Sequence, residues 1–200
     1  MNQEKEMTEQ ESMLIIEQMI HAAKQEQKDD GKGWIIWGWA LFLVSILTII
    51  NLYQNWFSTY YFWTFFGYFT IVMMVYSIVR RFFFNKSKVK TYTREIFEKL
   101  NLGFFISLIF IIFAMNLHKV EPLAGFAFLI DLYGFWILIY GATLNFKPSM
   151  IAAFIVWAFG YAALFTNSFE RIMLYHAAAV LIGYIIPGHI ANREFNKTRR

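Results

Sequence analysis

The chain has 200 residues, of which 58% are hydrophobic and only 16% are charged, with a formal net charge of +4. A soluble globular domain carries about 25% charged residues and fewer apolar ones, so the composition excludes an ordinary soluble fold and indicates a protein embedded in a lipid bilayer. No cysteine is present, which excludes disulfide bonds and thiolate metal sites.

Residues 8–27, TEQESMLIIEQMIHAAKQEQ, predict an amphipathic helix ahead of the first apolar run. Thr8 followed by Glu11 has the spacing of a capping box at a helix N-terminus. At about 100° per residue, one face of this helix collects the apolar side chains and the opposite face is polar. The apolar face consists of Met13, Ile16, Met19, Ile20 and Ala23. DDGKG at residues 29–33 then ends the helix and forms a short tether.

The apolar face must be shielded from water by a contact. Three contacts are possible: lipid headgroups, another copy of the same helix, or a different protein. Residues 1–33 hold eight acidic and four basic side chains, a balance that disfavours an anionic membrane surface. We therefore expect the helix to contact protein. A basic partner exists within the chain, because residues 80–101 hold seven basic and two acidic side chains, although such a loop also serves to fix membrane topology.

Six apolar runs follow. A hydrocarbon core of about 30 Å requires about 20 apolar residues in a helix. The runs lie at residues 34–52, 60–79, 100–117, 123–144, 150–166 and 169–186. Helices are favoured over barrel strands because each run is continuously apolar instead of alternating. The predicted fold class is all-α, a polytopic membrane bundle of six transmembrane helices with a cytoplasmic N-terminal amphipathic helix.

The predicted organisation has three parts. Residues 1–33 form the amphipathic helix and its tether, residues 34–188 form the transmembrane bundle, and residues 189–200 form a basic cytoplasmic tail. IIPGH near the end of the bundle is expected to stop the last helix at Pro187 and Gly188.

Lys and Arg side chains are distributed unevenly between alternating loops. Of the 18 basic residues, all but Lys119 and Arg171 fall on the side that carries both chain ends. Because cytoplasmic loops retain Lys and Arg, this asymmetry predicts two cytoplasmic termini and an even number of spans. We expect a multi-pass protein of the bacterial cytoplasmic (inner) membrane.

FLIDLYGFW at residues 128–136 places Asp131 inside the fourth apolar run. An ionised aspartate near the bilayer centre costs at least about 2.5 kcal/mol, so it needs a partner or a proton. His176, in the sixth run at a similar predicted depth, is the best candidate. Such a pair would hold two helices together, which we favour, or bind a proton or a cation. Alternatively, Asp131 is protonated and bonds Tyr133, Tyr140 or a backbone carbonyl.

Small residues mark positions where two helix backbones can approach closely in a membrane. They occur in pairs in the last three runs: Gly134 and Gly141, Ala158 and Ala162, and Ala179 and Gly183. We therefore expect the fourth, fifth and sixth helices to form one compact unit that contains Asp131 and His176.

Motifs of enzymes and cofactor sites are missing. The sequence has no Gly-rich phosphate loop, no His-Glu-x-x-His helix and no Gly-x-Ser-x-Gly elbow. We expect no enzymatic activity, no cofactor, no metal and no nucleic-acid partner. The leading hypothesis is a non-enzymatic assembly or regulatory component of the membrane, whose N-terminal helix contacts a second copy or a cytoplasmic protein. The alternative is a small cation or proton transporter that uses Asp131 and His176.

Four short segments carry a resemblance to a protein family. They are IIEQMIHAAK before WGW at 37–39, KVKTY in the basic loop, LNFKPSMIAAFIVW leading into the fifth helix, and IIPGH at the end of the sixth. Over nearly its whole length the chain resembles an uncharacterised family of small six-span inner-membrane proteins common in Bacteroidota. The resemblance implies a topology, and it brings no catalytic residue or cofactor.

Overall fold

The structure, a computed structural model, describes residues 13–14, 30–84 and 92–198, and this part of the chain contains helices and no strand. The helices of the bundle are α1 (Lys32–Gln54), α2 (Tyr61–Phe84), α3 (Tyr92–Asn116), α4 (Pro122–Thr143), α5 (Lys147–Leu164), α6 (Phe169–Val180) and α7 (Ile186–Thr198). A π-helical turn, Leu181–Ile185, joins α6 to α7. The prediction of an all-α fold is confirmed.

Five helical stretches are long and apolar enough to cross a membrane. They are Lys32–Gln54, Lys99–Asn116, Pro122–Thr143, Lys147–Leu164 and Phe169–Lys197. Helix α2 adds a shorter apolar stretch, Tyr61–Met73. Helix α3 begins at Tyr92, well before the predicted apolar run, because the polar segment TREIFEK is also helical. These helices support a membrane-embedded protein.

Most of the predicted amphipathic segment lies outside the described residues. Met13 and Leu14 are the only described residues before Asp30, and both are helical and exposed. The other predicted contact residues lie outside the described part: Ile16, Met19, Ile20 and Ala23. Their role in protein contact stays a prediction.

The centre of the bundle is formed by α1, α4, α5 and α6. Helix α4 packs along α5, and α6 contacts both α1 and α5. Helix α2 packs on α1 and α3 packs on α4, whereas the described residues show no backbone contact between α2 and α3. The expected unit of α4, α5 and α6 is therefore present, and α1 completes it.

The start of α1 and the last helix meet at one end of the bundle. Gly31, which precedes α1, has a left-handed backbone with φ of 66°, and an added Cβ would lie 2.4 Å from the carbonyl oxygen of Gly188. Glycine alone suits both this backbone and this approach. The side-chain amide of Asn192 also donates to the carbonyl oxygen of Asp30 at 2.7 Å. We call this end the terminal end, and the opposite end, with residues 55–60, the loop end.

The last helix does not stop at Pro187 and Gly188, so that prediction is wrong. Helix α7 continues to Thr198. Proline has no N–H and disrupts a regular α-helix. Directly before it, the N–H of Ile186 bonds the carbonyl oxygen of Leu181 in the wider spacing of a π turn. This turn carries the helix past the proline.

Candidate functional site: the buried His176 and the exposed Asp131

A polar pair lies in the centre of the bundle between α1 and α6. His176 is fully buried, and its Nδ1 lies 2.8 Å from the hydroxyl oxygen of Ser45. The same hydroxyl donates to the carbonyl oxygen of Leu41 at 2.9 Å. Because a hydroxyl has one hydrogen, Ser45 then accepts from the Nδ1–H group of His176. That tautomer leaves Nε2 of the imidazole as a lone-pair acceptor.

Aromatic rings surround the imidazole. The rings of Trp63 and Tyr133 approach it edge-on, with centroids at 4.9 Å and 5.5 Å, and the indole N–H of Trp63 donates to the sulfur of Met173 at 3.1 Å. Nε2 of His176 is buried without a hydrogen-bond partner. The hydroxyl of Tyr184, whose ring contacts Tyr133, is likewise buried and unpaired. Nε2 of His176 and the hydroxyl of Tyr184 are therefore both unpaired, and both side chains contact the ring of Tyr133.

The π turn helps to bring these side chains together. Tyr184 follows His176 by eight residues, which in a regular α-helix is a rotation of about 800°, or about 80° beyond two full turns. The wider turn reduces that excess rotation, and both side chains reach the ring of Tyr133. Single π turns within helices occur frequently at functional sites.

The contact between Ser45 and His176 resembles the hydroxyl–imidazole pair of a nucleophilic enzyme. Such a pair also needs a group that orients the imidazole and a space where the substrate can react. Here Nε2 of His176 has no partner, both side chains are fully buried, and the hydroxyl is bonded to a helix backbone. The geometry fits a hydrogen bond that joins two helices better than a nucleophile.

Asp131 lies on the exposed side of α4, away from this pair, so the predicted contact between Asp131 and His176 is wrong. Successive residues of a helix are about 100° apart, so side chains two positions apart point in nearly opposite directions. Tyr133 faces His176, and Asp131 therefore faces outward. Within the described part of the chain, no hydrogen bond or ion pair reaches its carboxylate. Its backbone carbonyl oxygen accepts from the indole N–H of Trp157 at 3.0 Å.

The predicted glycines lie at close helix contacts. A Cβ added at Gly134 would lie 2.6 Å from Cδ1 of Trp157, and one at Gly141 would lie 2.8 Å from Cγ of Met150. At Gly183 the added Cβ would lie 2.5 Å from a side chain of α4. At each position, an added methyl group would force a neighbouring side chain to shift.

The predicted alanines differ from one another. Ala179 is buried on α6. Ala158 is exposed and Ala162 is half-buried, so this pair does not mark a close contact among the described helices as expected. Helix α5 turns Gly160 toward α4 instead, and Ala158, two residues earlier, points away from that contact.

A buried polar stripe on α1 was not identified from the sequence. Ser45, Thr48 and Asn51 are spaced three residues apart and are almost completely buried, a spacing that places them on one helix face. The amide of Asn51 donates to the carbonyl oxygens of Phe57 at 3.1 Å and Ser58 at 3.2 Å, and its oxygen accepts from the N–H of Phe57 at 2.9 Å. The recurrence of polar residues every third position within an apolar run was the available signal.

Two surface pockets lie away from both His176 and Asp131. One of about 580 Å³ is lined by polar side chains of α7: His189, Asn192, Arg193, Asn196 and Lys197. Another of about 380 Å³ lies at the loop end between Glu121 and Asn167. Neither includes His176 or Asp131. The described residues contain no group of three or more His, Asp or Glu side chains that could hold a metal ion.

Comparison with protein-family models, curated proteins and solved structures found no match to the chain. The resemblance to a six-span family of Bacteroidota therefore stays a prediction.

Proposed function

We propose that the protein is a non-enzymatic component of a membrane protein assembly, and that it binds another membrane-spanning chain through the surface around Asp131. The observation that carries the proposal is the outward position of this carboxylate on α4. At about 1.5 Å per residue, Asp131 lies about 13 Å from the start of α4 at Pro122 and about 18 Å from its end at Thr143. The carboxylate is therefore near the middle of a membrane-spanning helix.

A carboxylate at this depth is costly when it faces lipid. The cost is at least about 2.5 kcal/mol on insertion scales, and lipid tails offer no hydrogen-bond donor. The exposed neighbours on the same side of α4, Phe128 and Phe135, offer none either. A second helix with a donor side chain would reduce the cost, so this surface is better covered by protein than by lipid.

We further propose six spans with both termini on the cytoplasmic side of a bacterial inner membrane. Helix α2, with 24 residues, supplies the sixth span beside the five stretches described above. The bond between Asn192 and Asp30 supports an even number of crossings, because it joins α7 to the residue before α1 at the terminal end of the bundle. The excess of Lys and Arg on that side supports the orientation.

The predicted amphipathic helix would provide a second contact in the cytoplasm. Deleting residues 1–27 is expected to leave membrane insertion intact and to reduce capture of the partner by chemical crosslinking. Unchanged capture would contradict a role for this helix, and it would leave the Asp131 surface as the remaining contact.

The alternative function, a cation or proton transporter, receives no support from the geometry. Its pathway requires Asp131 and His176 to act together. His176 instead bonds Ser45 in the interior, and Asp131 lies on the outside of α4.

Native electrophoresis after mild detergent extraction tests the proposal. The wild-type protein should migrate as an assembly larger than a single 23.7 kDa chain, whereas Asp131→Leu should reduce the fraction of the protein that migrates as the assembly. Phe128→Leu is the matched control, because it changes the same side of α4 without removing a carboxylate, and it should behave as wild type. A wild-type protein that is monomeric both in membranes and after extraction would overturn the proposal.

A further inference from the structure

We infer that the partner at this surface is a second copy of the chain, and that Asp131 of each copy accepts a hydrogen bond from Tyr161 of the other. The inference rests on the proposed function and specifies its partner. It follows from the relative position of an acceptor and a donor on two adjacent helices.

Asp131 and Tyr161 lie at the same level of the bundle. A Cβ added at Gly160 on α5 would lie 3.5 Å from the backbone nitrogen of Asp131, and Tyr161 is the next residue of α5. The bond from the indole N–H of Trp157 to the carbonyl oxygen of Asp131 fixes this register of α5 against α4.

Both side chains border the outward side of the groove between α4 and α5. On α5, Trp157 contacts Gly134 of α4, and Tyr161, one turn further along, lies on the same side and is 64% exposed. On α4, Asp131 precedes Gly134 by three residues and shares its side of that helix. Among the described residues, no hydrogen bond joins the carboxylate of Asp131 to the hydroxyl of Tyr161.

A two-fold axis along the membrane normal would turn this arrangement into two equivalent bonds. Rotation about that axis preserves depth, so it places Tyr161 of a second copy at the depth of Asp131. The same rotation places Asp131 of the second copy at the depth of Tyr161, as in any isologous dimer. Each carboxylate then gains a donor and each phenol gains an acceptor. A second copy therefore supplies a donor for Asp131 and an acceptor for Tyr161.

The shape of the surface also suits a second helix. Ala158, exposed on α5 one turn before Ala162, carries only a methyl group, and the exposed rings of Phe135 and Phe154 give an apolar border. The sequence pattern predicts a helix contact at Ala158, yet no helix of the described part of the chain occupies it. Contact between copies would use this position.

Cysteine crosslinking tests the contact directly, because the chain contains no cysteine. Ala158→Cys in native membranes should give a crosslinked dimer with a short bis-maleimide. Val72→Cys, 65% exposed on α2, is the matched control and should remain monomeric. Equal crosslinking at the two positions would overturn the inference.

Tyr161→Phe tests the hydrogen bond itself. In proteoliposomes, energy transfer between labelled copies should show a dimer dissociation constant raised by about fivefold to tenfold, the effect of losing two interhelical hydrogen bonds. Tyr68→Phe, which removes a hydroxyl from a 67% exposed tyrosine of α2, should change nothing. In an Asp131→Leu background, Tyr161→Phe should have no further effect, because the two residues share one interaction. The pairing is wrong if the effects of the two substitutions on the dissociation constant add fully. It is also wrong if Tyr161→Phe dimerises as tightly as the wild type.

Different results would overturn the second-copy inference and the proposed function. If the wild-type assembly contains one copy of this chain and a different protein whose binding depends on Asp131, the second-copy inference fails and the proposed function stands. If the wild-type chain is monomeric, both fail.

Discussion

Nδ1 of His176 lies 2.8 Å from the hydroxyl of Ser45, and this contact joins α6 to α1 in the interior of the bundle. The buried Ser, Thr and Asn side chains of the described residues carry uncharged hydroxyls and an amide: Ser45, Thr48, Asn51, Thr70 and Ser149. Burial of a charge is far more costly than burial of a neutral group that is hydrogen-bonded. The interior of the described bundle is therefore stabilised by neutral hydrogen bonds and apolar contacts.

Ser45→Ala should lower the free energy of unfolding by about 0.5–2 kcal/mol, because it leaves both ring nitrogens of His176 buried without a partner. Reversible unfolding in mixed detergent micelles measures the change. Ser107→Ala, on the exposed side of α3, makes the same chemical change outside the core and should have little effect. Equal stability of the two variants would show that the contact contributes nothing.

Tyr184→Phe should raise the free energy of unfolding by about 1 kcal/mol, since it removes a buried hydroxyl that has no partner. The ring remains and keeps its stacking on Trp34, with centroids 4.8 Å apart. The half-buried Tyr175 provides the control, and Tyr175→Phe should leave stability nearly unchanged. A loss of stability in Tyr184→Phe would mean that the hydroxyl is bonded in the membrane.

Helix positions could be predicted from the sequence because a membrane imposes a strong, simple constraint on helix length and composition. The runs at residues 34–52 and 123–144 match α1 and α4 within two residues at each end. The extension past Pro187 could not be predicted, because it depends on a π turn whose wide hydrogen bonding is not evident from residue types.

The candidate site was only partly predictable. Asp131 and His176 stand out as polar residues in apolar runs, but hydropathy and depth do not determine which way each side chain points around its helix. The structure turns His176 toward α1 and Asp131 outward. Ser45 was not predicted as a site residue because a single hydroxyl hardly changes the hydropathy of a long apolar run. Its spacing from Thr48 and Asn51, which places all three on one helix face, was the available signal.

Gly134→Ala should destabilise the protein by about 1–3 kcal/mol through overpacking. The added methyl would lie 2.6 Å from Cδ1 of Trp157, so the indole would have to shift and weaken its bond to the carbonyl oxygen of Asp131. Gly103→Ala on α3, where an added Cβ meets nothing within 4 Å, should be neutral or slightly stabilising. Chemical or thermal unfolding of the two variants gives the comparison, and similar losses in both would contradict the tight contact at Gly134.

Asn51→Ala should loosen the loop at residues 55–60, because the side chain of Asn51 provides hydrogen bonds at both ends of its amide. Loss of about 1.4 kcal/mol of local stability would speed hydrogen exchange of the Phe57 N–H by about tenfold. Hydrogen-exchange mass spectrometry of the peptide that contains Phe57 measures this change. Asn116→Ala is the control, since that side chain bonds only the Ile112 carbonyl of its own helix. If exchange at Phe57 stays slow in Asn51→Ala, the left-handed backbone of Asn55 holds the loop by itself.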